Sequence, residues 1–159
     1  MGTIEILNIN RLIKRLDNIA NVNLTETMNK AVTLVHGQAK TLAPADTGTL
    51  RASIHMEVKR DKKKIVGRVY TNLNYAPYVE FGTGIKGNGT YPYKTKDFSL
   101  SYRSTPWVYT PDGGETFYRT KGQVAQPYMY PALKRNEKKI QAMFKDGVKE
   151  QIGKAIGGK

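Results

Sequence analysis

The stretch YAPYVEFGTGIKGNG, residues 75–89, concentrates the residue types of this chain that could do chemistry. It places Glu80 among aromatic side chains and follows it with four glycines. A carboxylate can act as a general acid or base, and residues 82–87 match the G-x-G-x-x-G pattern of dinucleotide-binding loops. Three roles are open for this stretch: catalysis by Glu80, phosphate binding by the glycines, or a structural corner against which another protein chain packs.

The sequence around these glycines does not support a phosphate-binding role. A dinucleotide site needs a strand before the glycines, a helix directly after them and an acidic residue about 20 positions further on. Here NGTYPYK follows, which cannot start a helix, and Asp97 comes too early. The P-loop ending Gly-Lys-Ser/Thr is also missing. The sequence therefore predicts no bound nucleotide.

The remaining titratable and nucleophilic residues are scattered along the chain. His36 and His55, the only histidines, have neither the i, i+4 spacing nor the nearby carboxylates of a metal site. The absence of cysteine excludes zinc ribbons, iron–sulfur clusters and thiol nucleophiles. Asp46 is better explained by the turn PADTG, in which an Asp or Thr side chain bonds backbone amides while Gly48 adopts a positive φ. We therefore expect no catalytic residue, no metal and no cofactor. The Glu80 carboxylate is expected instead to cap backbone amides or to pair with a basic residue.

Charge is the strongest bulk feature of the 159-residue chain. Lys and Arg number 26 against 13 Asp and Glu, a formal net charge of +13 that raises affinity for any polyanion. Non-specific nucleic-acid binding is thus one hypothesis. The basic residues cluster at 59–64 and along the last predicted helix, without the interleaved aromatics of a stacking platform. This distribution favours a basic surface that keeps the protein soluble or meets an acidic partner subunit. Without a signal peptide pattern or an apolar run of about 20 residues, we expect no membrane segment.

Hydrophobic spacing predicts two helices in the first part of the chain. Apolar residues recur at helical spacing from Ile9 to Ala20, which indicates a short amphipathic helix over 9–20. Asn23, followed three residues later by Glu26, resembles a capping box, and the apolar face that follows ends at Pro44. The second helix is therefore expected at roughly 24–42.

Beyond the turn the pattern changes to the alternation of strands. Apolar residues at every second position from Leu50 to Val58 predict a half-buried strand, paired across a charged tip at 60–64 with IVGRVYT. NYAPYVEFG predicts a short helix or turn. PWVYT and TFYRT around PDGGE predict a second hairpin, and a final helix follows QPYMYP. The order indicates an α+β fold, an antiparallel sheet of two hairpins packed by two N-terminal helices and one C-terminal helix.

Residues 84–105 show neither helical nor strand periodicity. Loops of this length in a compact domain are usually functional or become ordered on binding. We therefore expect a single domain over 1–159, with a loop and hairpin insertion at about 84–126 and a loop at 84–105 that becomes ordered on assembly.

Three motifs resemble a known family when taken together. APADTGTLRASI (43–54), YAPYVEFGTG (75–84) and QPYMYPAL (126–133) occur in this order. They resemble the tail-completion or head–tail joining proteins of tailed bacteriophages, the lambdoid gene-product-ten-like minor tail components. Tyr128 stands where the family usually has phenylalanine, and the insertion between Gly84 and Gln126 is longer than in a minimal member.

The resemblance implies a structural protein of the virion and not an enzyme. Such a protein is expected in the neck of the particle, as a homo-oligomeric ring, commonly of six subunits. Its partners would be neck, stopper or adaptor proteins on the head side and the tail terminator or tail-tube protein on the tail side. DNA would pass through the ring with at most transient, non-specific contact.

The resemblance also assigns residues to two groups. The motif residues with structural roles are Pro44, Asp46, Thr47, Gly48, Leu50, Ser53, Tyr75, Ala76, Glu80, Phe81, Gly82, Thr83, Gln126, Pro127, Pro131, Ala132 and Leu133. A ring needs contacts between different patches of neighbouring subunits, and aromatic side chains are enriched in such contacts. The candidate interface residues are Tyr78, Tyr91, Tyr93, Phe98, Tyr102, Trp107, Tyr109 and Tyr118.

Overall fold

The computed structural model describes residues 23–46, 48–61, 64–94, 99–110 and 113–157. The predicted helix 9–20 lies outside these residues. The elements in chain order are α1 (Thr25–Leu42), α2 (Thr49–Ala52), β1 (His55–Arg60), β2 (Ile65–Tyr70), α3 (Ala76–Phe81), α4 (Gly84–Gly87), β3 (Trp107–Tyr109), β4 (Tyr118–Thr120) and α5 (Met129–Gly157). This arrangement confirms the predicted α+β class.

Helix α1 occupies the predicted range, but it begins differently from the expected capping box. Asn23 Oδ1 accepts a hydrogen bond from the Thr25 N–H at 3.1 Å. Glu26 instead forms an ion pair with Lys30 one turn further on, at 2.7 Å. The helix ends at Leu42, since Pro44 disfavours helical backbone at the residue before it.

The first strand starts later than the alternating pattern predicted. Gly48 has a φ of 76°, the positive value expected for the turn, and Thr49–Ala52 then form one helical turn. Leu50 and Ile54 are both buried, whereas Met56 is 47% exposed. A spacing of four residues places side chains on one face of a helical turn. The alternation was therefore misleading up to Ile54, and β1 begins at His55.

Strands β1 and β2 form an antiparallel hairpin that packs against α1. The register runs from His55 opposite Tyr70 to Arg60 opposite Ile65. Gly67 of β2 lies directly under the helix: a Cβ at this position would collide with Val32 Cγ2 and lie 2.7 Å from Met28 Sδ. A larger residue at position 67 would therefore push α1 away from the sheet.

The second hairpin forms a separate two-stranded sheet. Strands β3 and β4 pair antiparallel, with Trp107 opposite Thr120 and Tyr109 opposite Tyr118. The loop predicted from residue 84 is more ordered than expected, because Gly84–Gly87 form a helical turn and the Tyr102 hydroxyl donates to the Phe81 carbonyl at 2.9 Å. The described parts of this segment are thus packed within a single chain.

Candidate functional site at the Glu80 corner

Glu80 is buried and binds the start of the last helix. Its side chain is on α3 and the residue is only 5% exposed. Oε2 accepts the backbone N–H groups of Tyr128 and Met129 at 2.7 and 2.9 Å. Oε1 accepts the N–H of Tyr130 at 3.1 Å. Of the partners considered for this carboxylate, a basic residue or backbone amides, the structure shows the amides.

These three hydrogen bonds explain how a negative charge is accommodated in the interior. The first N–H groups of a helix have no partner within the helix, and the helix dipole favours an anion at that end. Helix α5 begins at Met129, so Glu80 caps it from 48 positions away in the chain. We call the meeting point of residues 75–84 with residues 126–133 the Glu80 corner.

Two tyrosines beside Glu80 have raised pKa values. Tyr128 is 1% exposed, and burial, reinforced by the nearby Glu80 charge, raises its pKa to about 12. Burial, with a smaller contribution from Glu80, also raises the pKa of Tyr91. Both phenols therefore stay neutral at physiological pH. Within the described residues, His, Asp and Glu form no cluster that could hold a metal ion.

The three sequence motifs converge at this corner. One buried cluster contains Leu50 and Ile54 from the first motif, Ala76 from the second, and Tyr128 and Ala132 from the third. The motif residue Pro131 is also almost fully buried. The aromatic anchor expected at position 128 thus fills the centre of the core, where it joins segments that are far apart in sequence.

Some motif residues have other surroundings. The Ser53 hydroxyl donates to the Leu50 carbonyl at 2.8 Å and lies 2.7 Å from the Thr71 hydroxyl. Leu133 is 53% exposed, and Asp46 is also exposed. Thr47 lies outside the described residues.

The glycines after Glu80 allow another backbone segment to approach closely. Thr83 exchanges backbone hydrogen bonds with Gln123, at 2.9 and 3.1 Å. Gly84 has a φ of 60°, and a Cβ there would lie 2.6 Å from the Lys121 carbonyl oxygen and from the Trp107 ring. Residues 121–123 of the same chain therefore pack directly against the glycines that resembled a dinucleotide-binding loop. This contact supports the structural interpretation of the stretch.

Two concave surfaces flank the corner and share no lining residue. The first, the apolar cleft, has a volume of about 510 Å³ and lies between α1, β2 and α5; its walls include Met28, Val32, Val35, Leu133, Ile140 and Phe144. The second, the aromatic groove, has a volume of about 950 Å³; its walls include Tyr75, Tyr78, Tyr102, Arg103, Trp107 and Tyr109. Glu80 and Phe81 face the cleft, whereas Tyr78 and Val79 face the groove.

The candidate interface residues divide between these surfaces. Tyr78, Tyr102, Trp107 and Tyr109 line the aromatic groove, and Tyr118 packs beside Tyr109 with ring centroids 5.9 Å apart. Tyr91 lines the apolar cleft. Tyr93 packs on Tyr130, 4.6 Å between centroids. Phe98 lies outside the described residues.

The outer side of α5 carries a row of basic residues. Ion pairs join Lys134 to Glu137 and Lys154 to Glu150, each at 2.6 Å. Five further basic residues share one face of the helix by its 3.6-residue repeat, are exposed, and form no ion pair with another described residue: Arg135, Lys138, Lys139, Lys145 and Lys149. We call this row the basic face.

Among the helices of the described residues, none combines the length and the apolar composition that a membrane span requires.

Comparison with known proteins gives one result. No curated protein and no solved structure gives a significant match. A family described as "Bacteriophage HK97-gp10, putative tail-component" matches residues 9–82. This range contains the first motif and the second as far as Gly82, and therefore Glu80 itself. The resemblance seen in the motifs is thus confirmed over residues 9–82, where the chain is similar to the HK97-gp10-like tail components of bacteriophages.

Proposed function

We propose that the protein is a structural component of the phage neck, which forms a ring that completes the tail and joins it to the head connector. The observation that carries this proposal is the family match over residues 9–82. The Glu80 corner supports it, because the most promising catalytic candidate is bound by three backbone N–H groups that hold two helices together. The proposed ring is a homo-oligomer, by resemblance a hexamer.

The proposed partners follow from a position at the top of the tail. A neck, stopper or adaptor protein binds on the head side, and the tail terminator or tail-tube protein binds on the tail side. The exposed aromatic side chains support such contacts, since Tyr78 is 58% and Tyr109 48% exposed and aromatics are enriched in protein interfaces. Assembly takes place in the host cytoplasm, and the mature protein stays in the virion.

Deletion of the gene tests the proposal. Lysates of the deletion mutant are expected to contain filled heads and separate tails that fail to join, as seen by electron microscopy. Supplying the wild-type chain from a plasmid restores infectious particles. Normal infectious particles without any copy of the chain would refute the proposal.

The basic face favours a second candidate function, non-specific binding of nucleic acid. Each neutralised phosphate of duplex DNA contributes about −0.9 to the slope of log K against log salt concentration. Contacts from all five residues of the basic face thus predict a slope of about −4.5. Changing Lys139, Lys145 and Lys149 to Gln should reduce it by about 2.7, while Lys30→Gln, a residue already paired with Glu26, leaves it unchanged. Very weak binding at physiological salt, or a slope that the triple variant does not alter, would refute this candidate.

A further inference from the structure

The β3–β4 hairpin has one face that no described part of the chain covers. Successive side chains of a strand point to opposite faces, so Trp107, Tyr109 and Thr120 share the face that lines the aromatic groove. Val108 lies on the other face and, by the same alternation, so does Phe117 just before β4. They are 57% and 69% exposed. We call Val108 and Phe117 the outer pair.

A hairpin of this size is not expected to leave such residues in water without a partner. Each strand has three residues, and isolated two-stranded hairpins are marginally stable. Phe117 is the most exposed large apolar residue of the described chain. Large exposed apolar residues on one face of a strand pair are typical of a contact surface.

The apolar cleft has the complementary shape. It is concave, its walls are predominantly apolar, and its volume of about 510 Å³ lies within the usual range of binding pockets. Its one carboxylate, Glu80, already accepts three N–H hydrogen bonds. Arg68 is the other charged residue of its described lining, and the remaining walls present mainly aliphatic and aromatic side chains, with Leu133 half exposed at the edge.

We propose that the outer pair of one copy inserts into the apolar cleft of a second copy. This inference rests on the proposed ring and specifies the contact that builds it. The outer pair and the cleft are separate on the chain, so each copy can offer both at once. A contact between two different patches repeats head to tail and closes into a ring when the rotation permits. A twofold dimer through either surface alone would leave the other surface exposed.

The size of the contact predicts weak pairwise association. Two large side chains and their surroundings bury less than the roughly 800 Å² per partner of a standard stable interface. A single contact between two copies is therefore expected to be transient. A closed ring is more stable than an open chain of the same number of subunits, because closure adds one more contact. For this reason a test must trap the contact as well as measure it.

Because the chain has no native cysteine, a thiol reagent can react only with cysteines that are introduced on purpose. Arg119 is exposed and lies opposite Val108 on the hairpin, and Leu133 marks the edge of the cleft. A chain carrying both Arg119→Cys and Leu133→Cys, treated with a short bifunctional thiol reagent, should give a ladder of covalent oligomers. A chain with one of the two cysteines should stay uncross-linked, and a mixture of the two single-cysteine chains should give a dimer and nothing larger.

A truncation in the double-cysteine chain tests the outer pair itself. Phe117→Ala should lower the cross-linking yield at least tenfold, as expected for a central aromatic at an interface. Val124→Ala is the matched control, because Val124 is 49% exposed and lines neither concave surface. Circular dichroism and thermal unfolding check that every variant is folded.

Several results would overturn the inference. They are a ladder that Phe117→Ala does not weaken, dimers from Arg119→Cys alone, and no ladder at the highest soluble concentration. A further such result is a link within one chain between Leu133→Cys and Leu12→Cys, since residues before Asn23 would then fill the cleft. The proposed function is judged separately: unjoined heads and tails in a deletion mutant would support the neck role even if no ladder formed, and a ladder would stand even if the deletion mutant remained infectious.

Discussion

Replacing Glu80 by Gln isolates the contribution of the buried carboxylate, because the two side chains have nearly the same shape. The amide oxygen can take the place of Oε2 and keep the N–H groups of Tyr128 and Met129. The amide nitrogen must then face the N–H of Tyr130, now 3.1 Å from Oε1. A donor would meet a donor in the interior, and the charge at the start of α5 would be lost.

The magnitude of the effect follows from these two losses. A hydrogen bond to a charged group is worth about 1.5–3 kcal/mol, and an anion at a helix N-terminus contributes about 0.3–2 kcal/mol. Glu80→Gln should therefore lower the free energy of unfolding by about 2–5 kcal/mol. For a chain of this size that corresponds to a fall in Tm of roughly 4–20 °C.

Urea unfolding followed by circular dichroism and by Trp107 fluorescence measures this change. The matched control is Glu26→Gln, because that carboxylate is exposed and pairs only across one turn with Lys30; solvent screens this pair, so its loss should leave the free energy of unfolding almost unchanged. A Glu80→Gln variant as stable as this control would refute the capping role. Catalysis by Glu80 makes a different prediction, loss of an activity with no loss of stability.

Two further substitutions test the packing of the core. Gly67→Ala should destabilise the protein by about 1–3 kcal/mol, since its Cβ meets Val32 and Met28, whereas Gly37→Ala, with open space around its Cβ, should stabilise α1 by about 0.5–1 kcal/mol; equal effects in urea unfolding would contradict the close contact. Tyr128 has a pKa raised from 10.0 to about 12, so its burial contributes stability that is complete below pH 10 and is lost as pH rises towards 12. Between about pH 9 and 12 the free energy of unfolding should therefore fall by about 2 kcal/mol less in Tyr128→Phe than in wild type. Identical falls in the two proteins would contradict the raised pKa.

Local patterns predicted the elements whose stabilising contacts are local. The apolar spacing from Leu24 to Leu42 and the stop at Pro44 define α1 within one residue. The turn PDGGE between aromatic and β-branched residues correctly placed β3 and β4. In both cases the signal lies within a few residues of the element it predicts.

The features that sequence could not predict depend on distant parts of the chain. An apolar pattern from Leu50 to Ile54 fits a strand as well as a helical turn, and burial of both side chains in the core decides between them. The glycines from Gly84 form a helical turn because residues 121–123 pack against them. The acceptor role of Glu80 was one of two alternatives, since sequence does not show that the start of α5 lies beside α3.

Helix α3 links the corner to both concave surfaces. It has six residues, too few to be stable alone in water, and the last carbonyls of a helix lack partners within it. The Tyr78 carbonyl accepts the Gly82 N–H at 3.0 Å and also Gln123 Nε2 at 2.9 Å. Distant segments supply the partners of two further carbonyls: the Gln126 N–H donates to Val79 at 2.8 Å, and the Tyr102 hydroxyl donates to Phe81 at 2.9 Å.

Helix α3 thereby couples the hairpin to the cleft within one chain. Gln123 follows β4 closely in the chain, so its hydrogen bond to α3 helps to position the hairpin and the outer pair. Glu80, also on α3, holds the first turn of α5 and with it Leu133 at the edge of the cleft. A ring contact between these surfaces requires a fixed angle between them, because an error in that angle is repeated at every subunit and prevents closure. In the proposed ring, residues 75–84 would therefore set the angle between neighbouring subunits. Weakening the Glu80 hydrogen bonds should then impair ring closure before it unfolds the chain.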